Sequence, residues 1–269
     1  MSVVPPSILN ELTNLLRTKV LGQGRLEHHQ LIASTNTRAM DLALDNFPEG
    51  TLVWAESQSA GRGRWGRTWH SGPGASLSFS LILQPYPLNR PSLITLVAGL
   101  SVAEAIRQVT GYFPEIKWPN DLLINGKKMA GLLAELDSGT RPPRFVVLGI
   151  GLNVNLTAED IPLELRDTAG SLLIATGKTW ERIDLLAAIL EKLEYYYLLL
   201  KENSREEIMS RYRQACITIG ADVRVAQGPK VIEGRAVSVD HDGRLVIERT
   251  DSGQMELVEA GEVGLVRPV

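Results

Sequence analysis

Residues 61–67 read GRGRWGR and place three arginines among three glycines, with Trp69 two positions further on. Guanidinium groups donate forked hydrogen bonds that suit carboxylate and phosphate oxygens. Glycine backbone can approach an anion closely and present its N–H groups to it. A solvated basic turn would have the same composition, but these residues belong to a long stretch, 57–74, between two predicted strands. They therefore favour a loop that binds a small anion.

Hydroxyl and amide groups follow an earlier predicted strand at residues 34–36, Ser-Thr-Asn. A helical pattern comes directly behind them, so the segment predicts a helix N-cap. Hydroxyl groups at a helix N-terminus after a strand are also well placed to hydrogen-bond a polar ring in a cavity. The residue types favour the N-cap and leave the ligand-binding role open.

Lys117 is a lone cation at the end of a short apolar strand, where its charge can reach into a site. Turn formation accounts for the nearby Asn120 and Asp121 without a ligand. An exposed hairpin accounts equally well for Lys128. Lys117 is therefore the stronger candidate of the two lysines.

The strand that contains residues 149–155, GIGLNVN, has glycines at alternate positions. Gly149 and Gly151 leave one face of the strand without side chains, so that a ligand or another backbone can lie against it. Asn153 then offers both a hydrogen-bond donor and an acceptor. By itself this pattern is a weak signal.

No familiar catalytic group accompanies these residues. The four histidines (His28, His29, His70 and His241) lack metal-ligand spacing, and no pair of carboxylates stands out as an acid–base couple. The single cysteine, Cys216, lies in a predicted helix and is assigned to the core. Arginine, lysine and glycine backbone remain. They suit a reaction between two anionic substrates, in which positioning and charge neutralisation do most of the catalysis.

The elements that must hold these residues follow from hydrophobic periodicity and turn signals. Helices are predicted behind residue 36 and over 7–19, 91–109, 181–200 and 204–216, and strands over 26–33, 51–56, 76–83, 145–153 and on both sides of the Asn125-Gly126 turn. After about residue 218 short β segments alternate with turns, at 222–226, 231–239, 244–249, 255–258 and 262–266. This alternation of short strands and turns indicates a small β-barrel appended to an α/β domain.

Composition sets the broad class of protein. The chain has 269 residues, a formal net charge of −3, 44% hydrophobic residues and one cysteine. The acidic balance argues against a general nucleic-acid or membrane footprint, and the start carries no signal-peptide pattern. The apolar runs fall short of the roughly 20 residues that a membrane helix needs. We therefore expect a soluble, cytoplasmic protein.

Taken in order, five segments resemble biotin protein ligase: STN, QSAGRGRWGRTW, KWPNDLLINGKKMAGLLAE, GIGLNVN and AGSL (169–172). The C-terminal stretch EGRAVSVDHDGRLVIE also resembles that family's SH3-like domain. Each motif alone is weak, whereas GRGRxGRxW, KWPNDL and KxAG in this order are highly specific. The resemblance implies an α+β fold, in which helices pack on a mixed, mainly antiparallel sheet like that of class II aminoacyl-tRNA synthetases. It also implies three parts, a helical extension (1–27), a catalytic domain (28–217) and an SH3-like β domain (218–269).

The resemblance also implies roles for individual residues. Biotin would be bound by Ser34, Thr35, Asn36, Gln58, Gly61, Arg62, Arg64, Lys117, Gly149 and Gly151. The nucleotide would be bound by Arg62, Arg64, Trp69, Asn120, Lys128 and Asn153. Lys117 and Arg64 would be the catalytic residues: Lys117 matches the lysine beside the reacting carboxylate and the α-phosphate, and Arg64 belongs to the loop that folds over the biotin carboxylate and the adenylate phosphate.

Members of this family adenylate biotin with Mg²⁺-ATP and transfer it to a lysine of a biotin carboxyl carrier protein, a subunit of acetyl-CoA carboxylase. Bifunctional members add an N-terminal DNA-binding domain, and the fewer than thirty residues before the first catalytic strand are too few for one. The sequence therefore predicts a monofunctional ligase with no DNA or membrane partner. Family members often pair through the central sheet, and no signal in this sequence decides for or against a homodimer.

Two other interpretations compete with this one. Lipoate protein ligase shares the fold and the adenylate chemistry, but its motifs differ from GRGRxGRxW and KWPNDL. A non-catalytic RNA- or DNA-binding protein could use GRGRWGR, and it would bind nucleic acid in a salt-sensitive way without ATP. The chain departs from the family at Trp65, where a polar or basic residue is more usual, and at Gly170, where threonine is common.

Overall fold

A computed structural model of the chain describes residues 6–85, 92–137, 139 and 143–265. The predicted first residue of the 91–109 helix and the last of the 262–266 strand lie outside these ranges. The helices are α1 (Pro6–Leu15), α2 (Thr35–Leu44), α3 (Ser92–Thr110), α4 (Leu172–Thr176), α5 (Arg182–Lys201) and α6 (Arg205–Ala215). The strands are β1 (Leu26–Ile32), β2 (Leu52–Gln58), β3 (Ser76–Leu83), β4 (Glu115–Lys117), β5 (Asp121–Ile124), β6 (Lys127–Leu136), β7 (Val146–Asn153), β8 (Asp222–Gln227), β9 (Lys230–Val239), β10 (Leu245–Arg249), β11 (Met255–Val258) and β12 (Glu262–Leu265).

The first seven strands form one sheet in the order β1-β2-β3-β7-β6-β5-β4. Only β1 and β2 run parallel, and every other neighbouring pair is antiparallel. The predicted turn between β5 and β6 is confirmed, because Asn125 and Gly126 both have positive φ (51° and 73°), as the tightest hairpins require. The predicted mixed, mainly antiparallel sheet is therefore confirmed.

Helices cover both faces of this sheet, because alternate strand residues point to opposite sides. On β2, Val53 packs with the buried face of α2, whereas Leu52 and Trp54 belong to the larger core that includes α3 and α5. α3 is apolar and long enough to span a membrane by length and composition, with a mean hydropathy of 1.4. The expectation that every apolar run is too short for a membrane helix therefore does not hold for α3. Two thirds of the apolar window of α3 is buried in the fold, so packing against the core accounts for its apolar surface.

Most predicted elements agree with the structure to within one or two residues, including α6, which ends just before Cys216, but the end of α1 and the presence of α4 do not. The first helix ends at Leu15 instead of residue 19, because the N–H groups of Lys19, Val20 and Leu21 donate to the Glu194 carboxylate at 2.6–2.8 Å and turn the chain towards α5. α4 was not predicted, although Ser171 caps its first turn through the Ile174 N–H (3.0 Å) and Gly177 ends it.

The last five strands form a separate antiparallel sheet in the order β11-β10-β9-β8-β12. Trp118, which follows Lys117 directly, attaches it to the first sheet. The indole is buried and donates from Nε1 to the Gly243 carbonyl (3.0 Å), while the Trp118 N–H donates to the Thr218 hydroxyl (3.0 Å). The segment that carries Lys117 is thus held against the C-terminal sheet.

Candidate active site

A glycine-lined surface runs across the middle of the seven-stranded sheet. Gly149 lies opposite Ser80 of β3 and Leu133 of β6, and Gly151 lies opposite Ser78 and Gly131. A cleft of about 470 Å³ opens on this surface. Its lining residues are Ser34, Thr35, Asn36, Gln58, Arg62, Gly63, Arg64, Trp69, Asn120, Lys128, Gly131, Leu132, Leu133, Gly149, Ile150 and Gly151. We call it the sheet cavity.

Neutral polar groups occupy one end of the sheet cavity, at the start of α2. The Thr35 N–H donates to Gln58 Oε1 at 2.8 Å, and the Asn36 Oδ1 accepts from the Ser80 hydroxyl at 2.5 Å. A Cβ on Gly149 would stand 2.0 Å from Asn36 Oδ1. Gly149 is therefore required for the Asn36 amide to lie on the sheet. The predicted N-cap is also confirmed, since Ser34 accepts from the Thr37 N–H.

The loop between β2 and β3 folds back on itself. Arg62 and Thr68 form an antiparallel bridge, and the Gly63 N–H donates to the Arg67 carbonyl at 2.7 Å. The three arginine side chains reach three different places: Arg62 binds Glu135, Arg64 binds Asn120 Oδ1 (3.1 Å) and Arg67 binds Glu262 of β12. The loop therefore distributes its positive charge along the cleft instead of concentrating it at one point.

The two tryptophans of this loop have opposite surroundings. Trp69 lies over the glycine-lined surface, where a Cβ on Gly151 would stand 2.3 Å from its Cε2. Trp65 is 66% exposed and contacts the Arg64 guanidinium from outside, with Cζ 5.5 Å from the ring centroid. Trp69 thus forms a wall of the cavity, and Trp65 does not line it.

A second cavity, of about 670 Å³, adjoins the first and is bounded by the C-terminal sheet. Its lining residues are Gly63, Arg64, Trp65, Arg67, Thr68, Trp69, Lys117, Trp118, Pro119, Asn120, Asp121, Lys128, Gly261, Glu262 and Val263. The two cavities share Gly63, Arg64, Trp69, Asn120 and Lys128. We call the second one the cationic cavity.

Lysine and arginine side chains dominate the chemistry of the cationic cavity. Lys128 Nζ lies 2.6 Å from Asp121 Oδ1, and Lys117 faces Asp121 across the β4–β5 ladder. Burial lowers the pKa of Lys117, and the Asp121 carboxylate counteracts part of that effect. Burial also lowers the pKa of Arg64, which nevertheless stays charged at neutral pH.

Not every residue singled out from the sequence lines these cavities. Lys117 lines only the cationic cavity, and Gly61 lines neither cavity, since it lies against the Trp69 carbonyl oxygen, 2.5 Å from where a Cβ on Gly61 would stand. Asn153 is buried, and its Nδ2 donates to the Gly170 carbonyl at 3.0 Å. The segment 168–170 also brackets the Lys128 backbone, so the AGSL stretch supports the strand ends beneath the site.

Ser80, Gly131, Glu135 and Glu262 are among the residues in or beside the site that were missed in the sequence. Ser80, Gly131 and Glu135 share the ligand-facing side of β3 and β6, and alternation along those strands could have found them. Glu262 comes from the other sheet, and no sequence pattern links it to the loop. As expected, Cys216 is buried in the core, and burial raises the pKa of its thiol.

Comparisons with known proteins agree with this architecture. Residues 29–153 match the Biotin/lipoate A/B protein ligase family, and residues 218–266 match the Biotin protein ligase C terminal domain. The bifunctional ligase/repressor BirA of Bacillus subtilis is 39% identical over 246 residues, which cover 91% of this chain and 75% of that protein. The biotin--[acetyl-CoA-carboxylase] ligase of Mycobacterium tuberculosis is 32% identical over 259 residues, covering 92% and 93%.

A solved structure gives the same result. The biotin protein ligase from Aquifex aeolicus in complex with biotin and ATP superposes with a TM-score of 0.79 and 32% identity, over 91% of this chain and 99% of that one. The fold and the paired cavities define an α+β protein built to hold anionic ligands beside a glycine-lined sheet. The chain belongs to the biotin protein ligase family.

Proposed function

We propose that the protein is an ATP-dependent biotin ligase, which activates biotin as biotinyl-5′-AMP and transfers it to a lysine of a biotin carboxyl carrier protein. The observation that carries the proposal is the continuity of a neutral, hydrogen-bonding cavity with a cationic one, through a shared wall that contains Arg64 and Lys128. Biotin has matching parts, a neutral ureido ring at one end and a carboxylate at the other.

Biotin is assigned to the sheet cavity. Its ureido ring would meet the amide and hydroxyl groups of Thr35, Asn36 and Gln58, with Ser34 beside them, and its body would lie along Gly149 and Gly151. The carboxylate would then reach towards Arg62 and Arg64 and the boundary with the cationic cavity. Gly61 contributes by letting the loop backbone turn close to Gln58.

ATP is assigned to the cationic cavity, with the phosphates beside Lys117 and Lys128 and the base on the side of Trp69 and Asn120. Asn153 acts on the nucleotide side as a buried support. Mg²⁺ would enter as the complex with ATP, because it is usually held by substrate phosphates and one or two carboxylates. Asp121 is a carboxylate of the cavity wall within reach of such a complex.

The reaction then follows from charge. A biotin carboxylate oxygen attacks the α-phosphorus of ATP, the new P–O bond forms and pyrophosphate leaves. Arg64 and Lys117 would reduce the repulsion between the two anions and stabilise the charge that builds on the phosphoryl oxygens. In the second step a deprotonated lysine amine of the carrier attacks the biotinyl carbonyl, the amide forms and AMP leaves.

The proposal also covers the carrier protein, the cellular compartment, the domain division and the oligomeric state. The carrier is assigned to acetyl-CoA carboxylase, after the name of the Mycobacterium tuberculosis relative, and the compartment to the cytoplasm. The chain is divided into an extension (1–27), a catalytic domain (28–217) and a C-terminal domain (218–269), a division supported by the family match that begins at residue 218. Pairing through the central sheet into a homodimer stays a prediction.

Biotin-dependent ATP–pyrophosphate exchange tests the proposal with the variant Lys117→Ala. Loss of one half-buried cation beside the reacting phosphate should reduce exchange by roughly 100- to 1,000-fold. Lys127→Ala is the matched control, because Lys127 is a lysine of the same sheet that donates to the Arg166 carbonyl and lines neither cavity. Near-normal exchange by a folded Lys117→Ala protein would contradict the proposal.

The same assay separates the competing functions. Lipoic acid supplied in place of biotin should support little exchange, and a preference for lipoic acid would instead identify a lipoate ligase. A nucleic-acid-binding protein would show salt-sensitive binding of RNA or DNA with no exchange at all.

A further inference from the structure

Glu135 connects the two ends of the sheet cavity. It lies on β6 two residues beyond Leu133, on the same face of the sheet as Gly131. Its Oε2 accepts from Asn36 Nδ2 at 2.7 Å and from an Arg62 terminal nitrogen at 3.0 Å. Asn36 belongs to the neutral end of the cavity and Arg62 to the anion-binding loop, so one carboxylate oxygen holds a group from each.

The Asn36 amide has two orientations that differ only in which atom faces Glu135. An ionised carboxylate can only accept hydrogen bonds, so the Nδ2 atom must face Glu135 and the Oδ1 atom must face Ser80. The Ser80 hydroxyl donates to that oxygen at 2.5 Å, on the spot that Gly149 leaves open. Glu135 therefore fixes where the donor and the acceptor of the Asn36 amide lie at the neutral end of the cavity.

Arg62 is held in a different way. Its side chain is 47% exposed and forms an ion pair with Glu135. The contact engages one terminal nitrogen of the guanidinium. The guanidinium carries five N–H donors, so other donors stay available for a ligand carboxylate. Glu135 thus locates the group without blocking its use.

We infer that Glu135 is a positioning residue of the acid-binding site, which orients the Asn36 amide and the Arg62 guanidinium together for a carboxylic acid with a polar head group. The inference rests on the proposed function, since it takes biotin as the ligand. Glu135 binds two separate side chains of the site, Asn36 and Arg62. By contrast, Asn120 and Glu262 each accept a hydrogen bond from one arginine of the loop.

Equilibrium binding of biotin and of uncharged biotin amide to Glu135→Gln and Arg62→Ala tests this inference. Glutamine offers both a donor and an acceptor, so Asn36 can reverse its amide and Arg62 loses its partner. Glu135→Gln should weaken binding of both ligands by about 10-fold or more, whereas Arg62→Ala should weaken biotin alone. Glu135→Asp, which keeps the acceptor-only carboxylate, should recover part of the loss in each case.

Exchange kinetics supply a second readout. Glu135→Gln should raise the KM for biotin by a similar factor and leave the KM for ATP within about twofold, because the cationic cavity is unchanged. Wild-type affinity of Glu135→Gln for both ligands would overturn the inference. So would a loss confined to biotin, since Glu135 would then act through Arg62 alone. Failure of the wild-type protein to bind biotin would instead contradict the proposed function.

Discussion

The two cavities differ in what forms their walls. The sheet cavity is built on one sheet, the helix that begins on it and the loop between β2 and β3, and the polar groups at its neutral end are hydrogen-bonded to one another. The cationic cavity lies where the loop, the β4–β5 turn and the edge of the C-terminal sheet meet, and its walls carry both signs of charge. A rigid sheet suits recognition by shape and hydrogen-bond direction, whereas a junction of several elements can collect charges that no single strand could bring together.

Ligand binding in the two cavities should therefore be sensitive to different kinds of change. The sheet cavity should respond to small changes of volume, because its ligand surface depends on missing Cβ atoms at Gly149 and Gly151. The cationic cavity should respond to charge and to pH, because burial opposes the charged form of Lys117. Three changes can break or sharpen this contrast.

Gly149→Ala should give the largest effect. The added Cβ would stand 2.0 Å from Asn36 Oδ1, so the amide must move and release Ser80 and Glu135. Loss of these hydrogen bonds should weaken biotin binding by roughly 100-fold, with little change in ATP binding. Isothermal titration with each ligand measures both effects.

Gly264→Ala is the control for this change, because it is also a strand glycine and an added Cβ meets only the Arg224 carbonyl at 3.7 Å. Equal loss of ATP and biotin affinity in Gly149→Ala would show that the two cavities do not act separately.

The pH dependence of exchange should give an intermediate effect. Burial lowers the pKa of Lys117, so the amine is charged below that pKa and becomes neutral at a pH below the usual lysine range. Exchange should therefore fall by up to about tenfold per pH unit as pH rises through this pKa. Lys117→Arg should move the decline to higher pH, since arginine keeps its charge. An identical alkaline decline in both proteins would assign it to another group.

Arg67 should give the smallest effect. Its ion pair with Glu262 joins the loop to the C-terminal sheet, but the two side chains are 64% and 52% exposed. Exposed pairs of this kind contribute about 0–1 kcal/mol, so Arg67→Ala should change the KM for ATP less than about fivefold. The reversed pair, Arg67→Glu with Glu262→Arg, should restore the wild-type value. A much larger loss in Arg67→Ala would place Arg67 on the nucleotide itself.

Much of the fold could be predicted because local patterns decide it. The Asn125-Gly126 turn, the strand over 76–83 and the cap at Ser34 each rest on neighbouring residues, and all three have the predicted form. The end of α1 could not be predicted, because its cause is the Glu194 carboxylate more than 170 residues away. α4 could have been predicted from Ser171 and Gly177, since caps are local signals.

The sequence by itself determined which chemical groups are available: arginines on a glycine-rich loop, lysines beside short strands, and a strand whose glycines leave one face without side chains. The order of these motifs along the chain identifies the family. Only the tertiary structure decided how these groups pair. Glu135 reaches Asn36 across about one hundred positions, and Glu262 reaches Arg67 from the other sheet. Residue types are local properties, whereas the partner of a charged side chain depends on sheet order and domain packing, which arise only when distant segments meet.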